Sequence, residues 1–215
     1  MKKRTLKRIL LGASGAAVAV TSGFQLARAY FEEPDFRTVS NEHGLELRRY
    51  RPRVVAETDV ALPGRQAATS EGFSRLAEYI FRGNERIAMT TPVEATPVES
   101  KGQRIAMTAV EASPEDQGWR IVFTMPAKYR LEDLPEPRDS RVRLRREEGR
   151  LVAARRFSGR VTEATRRSEE AALTRRLERA GLQASGPVTV AIYDPPTTVL
   201  PFLRRNEVWV EVNER

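Results

Sequence analysis

The chain reads as an α+β protein: a distorted, mainly antiparallel β-barrel with two flanking helices, composed of two pseudo-symmetric strand–helix–strand halves. Three observations lead there. Segments that alternate apolar and polar residues dominate the chain, and this period of two marks half-buried strands. Apolar residues recur at helical spacing in two stretches, and hairpin-like segments separate them. The order strand, helix, strand also occurs twice, over residues 45–93 and 151–196, as expected of two related halves packed together.

Residues 1–29 stand apart from this plan. They read MKKRTLKRILLGASGAAVAVTSGFQLARA, with a basic start, an apolar stretch over 9–20 and the A-x-A-like Ala27-Arg28-Ala29. This predicts an export signal cleaved after Ala29, a domain comprising 30–215 and a periplasmic location. The alternative is an uncleaved anchor in the inner membrane over 9–26, although the apolar stretch is short against the roughly 20 residues of a span. The formal charge of +8 also belongs mostly to this segment. It holds six basic residues and no acid, which leaves 31 basic against 29 acidic side chains elsewhere. No basic stripe remains to track phosphates, so nucleic acid is not an expected partner. Membrane contact is expected only through an uncleaved N-terminus. The absence of cysteine excludes disulfides, thiolate metal sites and thiol catalysis.

Residues 36–39 and 45–50 flank Ser40-Asn41-Glu42-His43-Gly44, a turn composition that predicts a hairpin. The second strand is expected to continue to Val60 with a bend at Pro52. Phe73, Leu76, Ala77, Ile80 and Phe81 form one apolar helical stripe, starting near Thr69 or Ser70 and stopping at Gly83. Next comes a repeat: Arg86-Ile87-Ala88-Met89-Thr90 returns as Arg104-Ile105-Ala106-Met107-Thr108. It predicts a hairpin joined across Ser100-Lys101-Gly102, with Pro92 and Pro97 at an edge or at bulges. Trp119, Ile121, Phe123 and Met125 alternate with Arg120, Val122 and Thr124 as a strand with one strongly apolar face, and strands over 142–144 and 151–157 follow. A second helix follows Thr162 to Thr165, carries Ala172, Leu173, Leu177 and Ala180 on one face and ends at Gly181. Strands over 188–193 and 207–212 close the chain.

Catalytic constellations are missing. His43 is the sole histidine and sits in a turn, so a Ser-His-acid triad has no natural base and multi-histidine metal sites are excluded. No phosphate-cradling glycine motif occurs, and the carboxylate pairs lie in turns. The expectation is a protein that is not an enzyme. Binding readings compete with plain structural ones at the remaining positions. Met89 and Met107 are either core residues of a hairpin or soft contacts to a flat ligand. Phe73, Leu76 and Ile80 are core, or in part the wall of a pocket. Arg48-Arg49-Tyr50-Arg51 is a solvated strand face, or a set of guanidiniums beside an apolar cleft that suits carboxylates.

GLELRRYRPRVVAETDV, FSRLAEYIFRGNERIAMTTPVEA, the second IAMT, WRIVFTMPAKYRLEDLPEPRD, VAARRFSG and AIYDPP…PFLRRNEVWVEV occur in that order. Together they resemble the SOUL haem-binding family from Glu32 to Val212. The resemblance implies the two-halved barrel already read from the pattern. It also implies non-covalent binding of haem or another tetrapyrrole, through an apolar cleft in some members and through a histidine in others. The expected site has Phe73, Leu76 and Ile80 as wall, Arg48 or Arg51 as propionate clamp, and Met89 and Met107 against the ring. His43 is the disfavoured axial ligand. The expected function is a non-catalytic tetrapyrrole carrier or buffer. The alternatives are a module for a protein partner, or a small-molecule sensor on the same barrel without physiological haem.

Overall fold

A computed structural model describes residues 32–82, 87–98, 118–194 and 199–213. Met107, the second arm of the repeat and the N-terminal segment lie outside the described residues. The strands are β1 (Phe36–Glu42), β2 (Leu45–Tyr50), β3 (Arg53–Val60), β4 (Val93–Pro97), β5 (Trp119–Thr124), β6 (Val142–Glu147), β7 (Leu151–Phe157), β8 (Thr189–Ile192) and β9 (Asn206–Glu211). Helix α1 (Arg65–Arg82) joins β3 to β4, and α2 (Glu163–Ala180) joins β7 to β8. All strand pairs are antiparallel, in the sheet order β1-β2-β7-β9-β8-β4-β5-β3-β6. This is the expected α+β distorted barrel with two flanking helices.

The two halves are related in a way that alternation along the chain does not reveal. Each contains a strand, a helix and two further strands: β3–α1–β4–β5 and β7–α2–β8–β9. In each, the last strand lies between the two that the helix connects, and the halves join along the β4–β8 ladder, where Ala95 faces Val190. The strand preceding each half is exchanged. β2 leads into β3 but pairs with β7, while β6 leads into β7 but pairs with β3. The expectation of one bent strand over 45–60 is therefore corrected. Pro52 lacks the N–H that a continuous ladder needs, and the chain changes partner there.

This exchange dictates the curvature. β2 and β3 are second and eighth in the sheet, yet only Arg51 and Pro52 separate them. Three peptide steps reach at most about 11 Å, so the sheet must curl until its two ends approach one another. Both helices cover the outer face. Leu76 and Ile80 of α1 pack on Trp119, Ile121 and Phe123, and Leu173 and Leu177 of α2 pack on Val190, Val208 and Val210. Gly72 is required by the first contact, because a Cβ there would fall 2.4 Å from Ile121 Cγ1. α1 starts at Arg65, a turn earlier than its apolar stripe indicates, since the first turn buries an arginine and Ala68. The second helix begins and ends where expected. Thr162 Oγ1 accepts from Thr165 N, and Gly181 N donates to Leu177 and Glu178 carbonyls.

Candidate functional site

Strand side chains alternate, so the residues between the core positions point into the barrel. There they form ion pairs. Glu207 on β9 is 0% exposed and accepts from five donors. These are Arg48 Nη1 and Nη2, Tyr193 Oη at 2.9 Å, Trp209 Nε1 at 2.8 Å and Arg205 Nε at 3.1 Å. Burial alone would raise the Glu207 carboxyl, but Arg48 and Arg205 outweigh it and hold the group below its usual range. Burial pushes Tyr50 up to about 12, against the pull of Arg48, and Tyr193 rises well above its usual value for the same cause beside Glu207.

A second group lies across the barrel. Arg53 donates to Glu94 at 2.7 Å, Glu147 at 2.6 Å and Thr124 at 2.9 Å. Arg145 and Arg143 hold Glu57 at 2.8 and 3.2 Å, and Arg120 and Arg143 each hold Asp59 at 2.7 Å. Arg48 faces Val152 on β7 as Arg145 faces Val55 on β3, so these two arginines occupy matching places in the exchanged strands. An interior acid that greets a cationic ligand needs an uncommitted charge. Glu207, with two guanidiniums on it, does not supply one.

The site residues expected from sequence fall into different environments. Arg48, at 3% exposure, belongs to the Glu207 network. Leu76 and Ile80 are core residues under α1. Phe73 remains 37% exposed with its ring centroid 5.3 Å from that of Phe123 in an edge-to-face arrangement, and Met89 is half-buried against the same cluster. Phe81, eight positions after Phe73 and close to the same side of the helix, is more exposed still. His43 is exposed with φ 52°, and its carbonyl accepts from Arg176 Nε at 2.9 Å. Its left-handed turn conformation explains the residue without a ligand. Among the described residues no group of three or more His, Asp or Glu is placed to hold a metal ion.

The Arg51 side chain, 79% exposed, opens onto a feature that sequence reasoning missed. A cleft of about 530 Å³ lies where the 51–52 and 148–150 links meet the start of β1. Phe36, Tyr50 and Pro52 supply its apolar wall, and Arg37, Arg49 and Arg51 its charge. Beneath it Phe36, Tyr50 and Trp209 stack at 5.2 and 5.5 Å, resting on the Glu207 network. Tyr50 N donates to Arg150 O at 2.9 Å and Arg51 N to Asp35 O at 3.1 Å, so both links are tied down. A side chain at Gly149 would put its Cβ 2.9 Å from Tyr50 O, which leaves room for glycine only. The run Arg48-Arg49-Tyr50-Arg51 was the available signal; Arg37 and Gly149, distant in sequence, gave none.

No curated protein matches the chain. Among solved structures, the EcmrR C-terminal domain is similar with a TM-score of 0.57 at 8% identity, covering 80% of this chain and 98% of that one. A hydrolase from Listeria innocua is similar with a TM-score of 0.52 at 16% identity, covering 81% and 94%. An EcmrR–DNA complex gives a TM-score of 0.58 at 7% identity, covering 99% of this chain and 70% of that one. At such identities the likeness speaks for the fold; regulation, DNA binding and hydrolysis belong to those proteins. The family description "SOUL heme-binding protein" matches residues 31–211, and this match spans both halves of the barrel. The chain belongs to the SOUL haem-binding family.

Proposed function

We propose that the protein binds haem or a related tetrapyrrole reversibly and without chemistry, as a carrier or buffer. The observation that carries this is the family match over 31–211. The porphyrin face would lie along the accessible apolar side of α1, on Phe73 and Phe81, with Met89 behind them. Leu76 and Ile80 support that surface from the core without touching the ligand. The fit is to the ring and not to the iron, because His43 sits exposed in its turn. In the same reading residues 1–29 direct export and residues 30–215 act in the periplasm.

The test is a titration of the full chain with ferric haem and, in parallel, metal-free protoporphyrin, followed by absorbance. Both should bind saturably at one to one in the sub-micromolar range, about −8 kcal/mol or better. His43→Ala should leave both curves unchanged, and Phe73→Ser should weaken both. Non-saturating binding would overturn the carrier reading, and loss of haem binding in His43→Ala would overturn the ring-only site.

A further inference from the structure

We propose that the turn leading into β9 is a docking surface for an anionic phospholipid bilayer. The first argument is exposure. Leu200 is 56% and Phe202 68% exposed, more than any other large apolar residue among those described. Apolar residues scattered singly over a surface are ordinary. These two stand together, Phe202 in the short 3-10 helix Pro201–Leu203 and Leu200 as its N-cap, and the backbone there is fixed. Gly159 N donates to Pro201 O at 2.9 Å, Leu203 N to Leu200 O at 3.0 Å and Arg204 Nε to Val199 O at 2.8 Å. With these carbonyls satisfied, the turn can enter a lipid interface side chains first, without unpaired peptide oxygens going with it.

The second argument is charge. Segments 151–162 and 199–206, joined by the Gly159–Pro201 bond, contain no Asp or Glu. Arg156 and Arg160 are exposed in the first of them, and neither forms an ion pair among the described residues. The acids that adjoin these segments are committed elsewhere. Glu163 holds Arg166 at 2.8 Å, and Glu207 is buried in its own network. An apolar tip flanked by unneutralised guanidiniums matches a layer of acidic headgroups over acyl chains. A second copy related by a two-fold axis would instead set the same arginines against one another. The third argument is position. Arg205, three residues past Phe202, donates to Glu33 at 2.8 Å, so the chain that follows the basic N-terminal segment joins the barrel beside this turn. The tip adds a contact made by the folded domain to the one expected of the N-terminus.

Fluorescence of a Phe202→Trp variant of the full chain tests the assignment. Trp119 and Trp209 are buried, so the introduced indole reports the tip. Vesicles rich in phosphatidylglycerol should shift its emission to the blue, and lipids brominated along the acyl chain should quench it. Binding through the N-terminus alone would do neither. Arg156→Gln/Arg160→Gln in the same background should raise the lipid needed for half-quenching about tenfold, and added salt should raise it too. Leu200→Ser should raise it by about tenfold as well, through lost apolar burial. Should Phe202→Trp melt early, Leu200→Trp carries the same measurement. No quenching in anionic vesicles overturns the docking surface, and equal quenching in phosphatidylcholine vesicles overturns the role of the arginines. A blue shift that appears without lipid and grows with protein concentration overturns the bilayer in favour of a second copy.

Discussion

Glu207 shows how much depends on single residues inside this barrel. Two buried charges bring a desolvation cost that their attraction roughly offsets, so the Arg48–Glu207 pair adds little by its presence. Removing one partner is another matter. Glu207→Ala leaves Arg48 buried with Glu46 as its remaining carboxylate partner, and should cost about 3–5 kcal/mol in urea unfolding at pH 7. The pH dependence follows from the same groups. Glu46, Glu147 and Glu207 lie below their ordinary value of 4.5, and Asp59 lies below 3.8. Their contribution is complete above those ordinary values and disappears as pH falls through the depressed folded-state values. Tyr50 has the opposite limit: raised from 10.0 to about 12, it contributes fully below pH 10 and less as pH climbs toward 12. Thermal melts across pH should therefore give a plateau that falls at both ends, with the acid edge at or below about pH 4. Little of this was legible in the sequence. In Arg48-Arg49-Tyr50-Arg51 the arginines look alike, but strand alternation sends Arg48 into the barrel and leaves Arg49 and Arg51 at the cleft.

At the scale of elements the sequence was more informative. The alternation in 119–125 and the stripe in 73–81 each specify a face, because burial selects residues at the period of the element. The caps of α2 were legible for a local reason, since Thr162 and Gly181 act on their own helix ends. Thr162→Ala should cost about 1 kcal/mol, measured by denaturant unfolding. Gly72 shows the reverse case. In isolation a mid-helix Gly→Ala change favours the helix by about 1 kcal/mol. Here the new methyl would meet Ile121 at 2.4 and 2.7 Å, so Gly72→Ala should be net destabilising by about 1–3 kcal/mol and lower Tm. The sign of that change separates packing from propensity. Partner choice was not legible: nothing in the two residues between β2 and β3 says which strand waits on the other side.

The whole molecule is held by its exchanged strands. A break in the exposed 138–141 turn would separate β1–β5 from β6–β9 and leave β2 without β7 and β3 without β6. Peptides 32–139 and 140–215 should each lack cooperative unfolding alone and recover it when mixed, with circular dichroism following the recovery. Independent folding of either peptide would contradict the shared architecture. The same exchange carries a historical implication. A single repeat, made as a free polypeptide, could complete its sheet only by lending its first strand to a second copy. The fold thus has the form of a strand-swapped homodimer made permanent by duplication and fusion. Once joined, such halves need not match in detail: Arg48 and Arg145 each hold a glutamate two residues away on their own strand, Glu46 and Glu147, but their second acids, Glu207 on β9 and Glu57 on β3, come from strands that do not correspond.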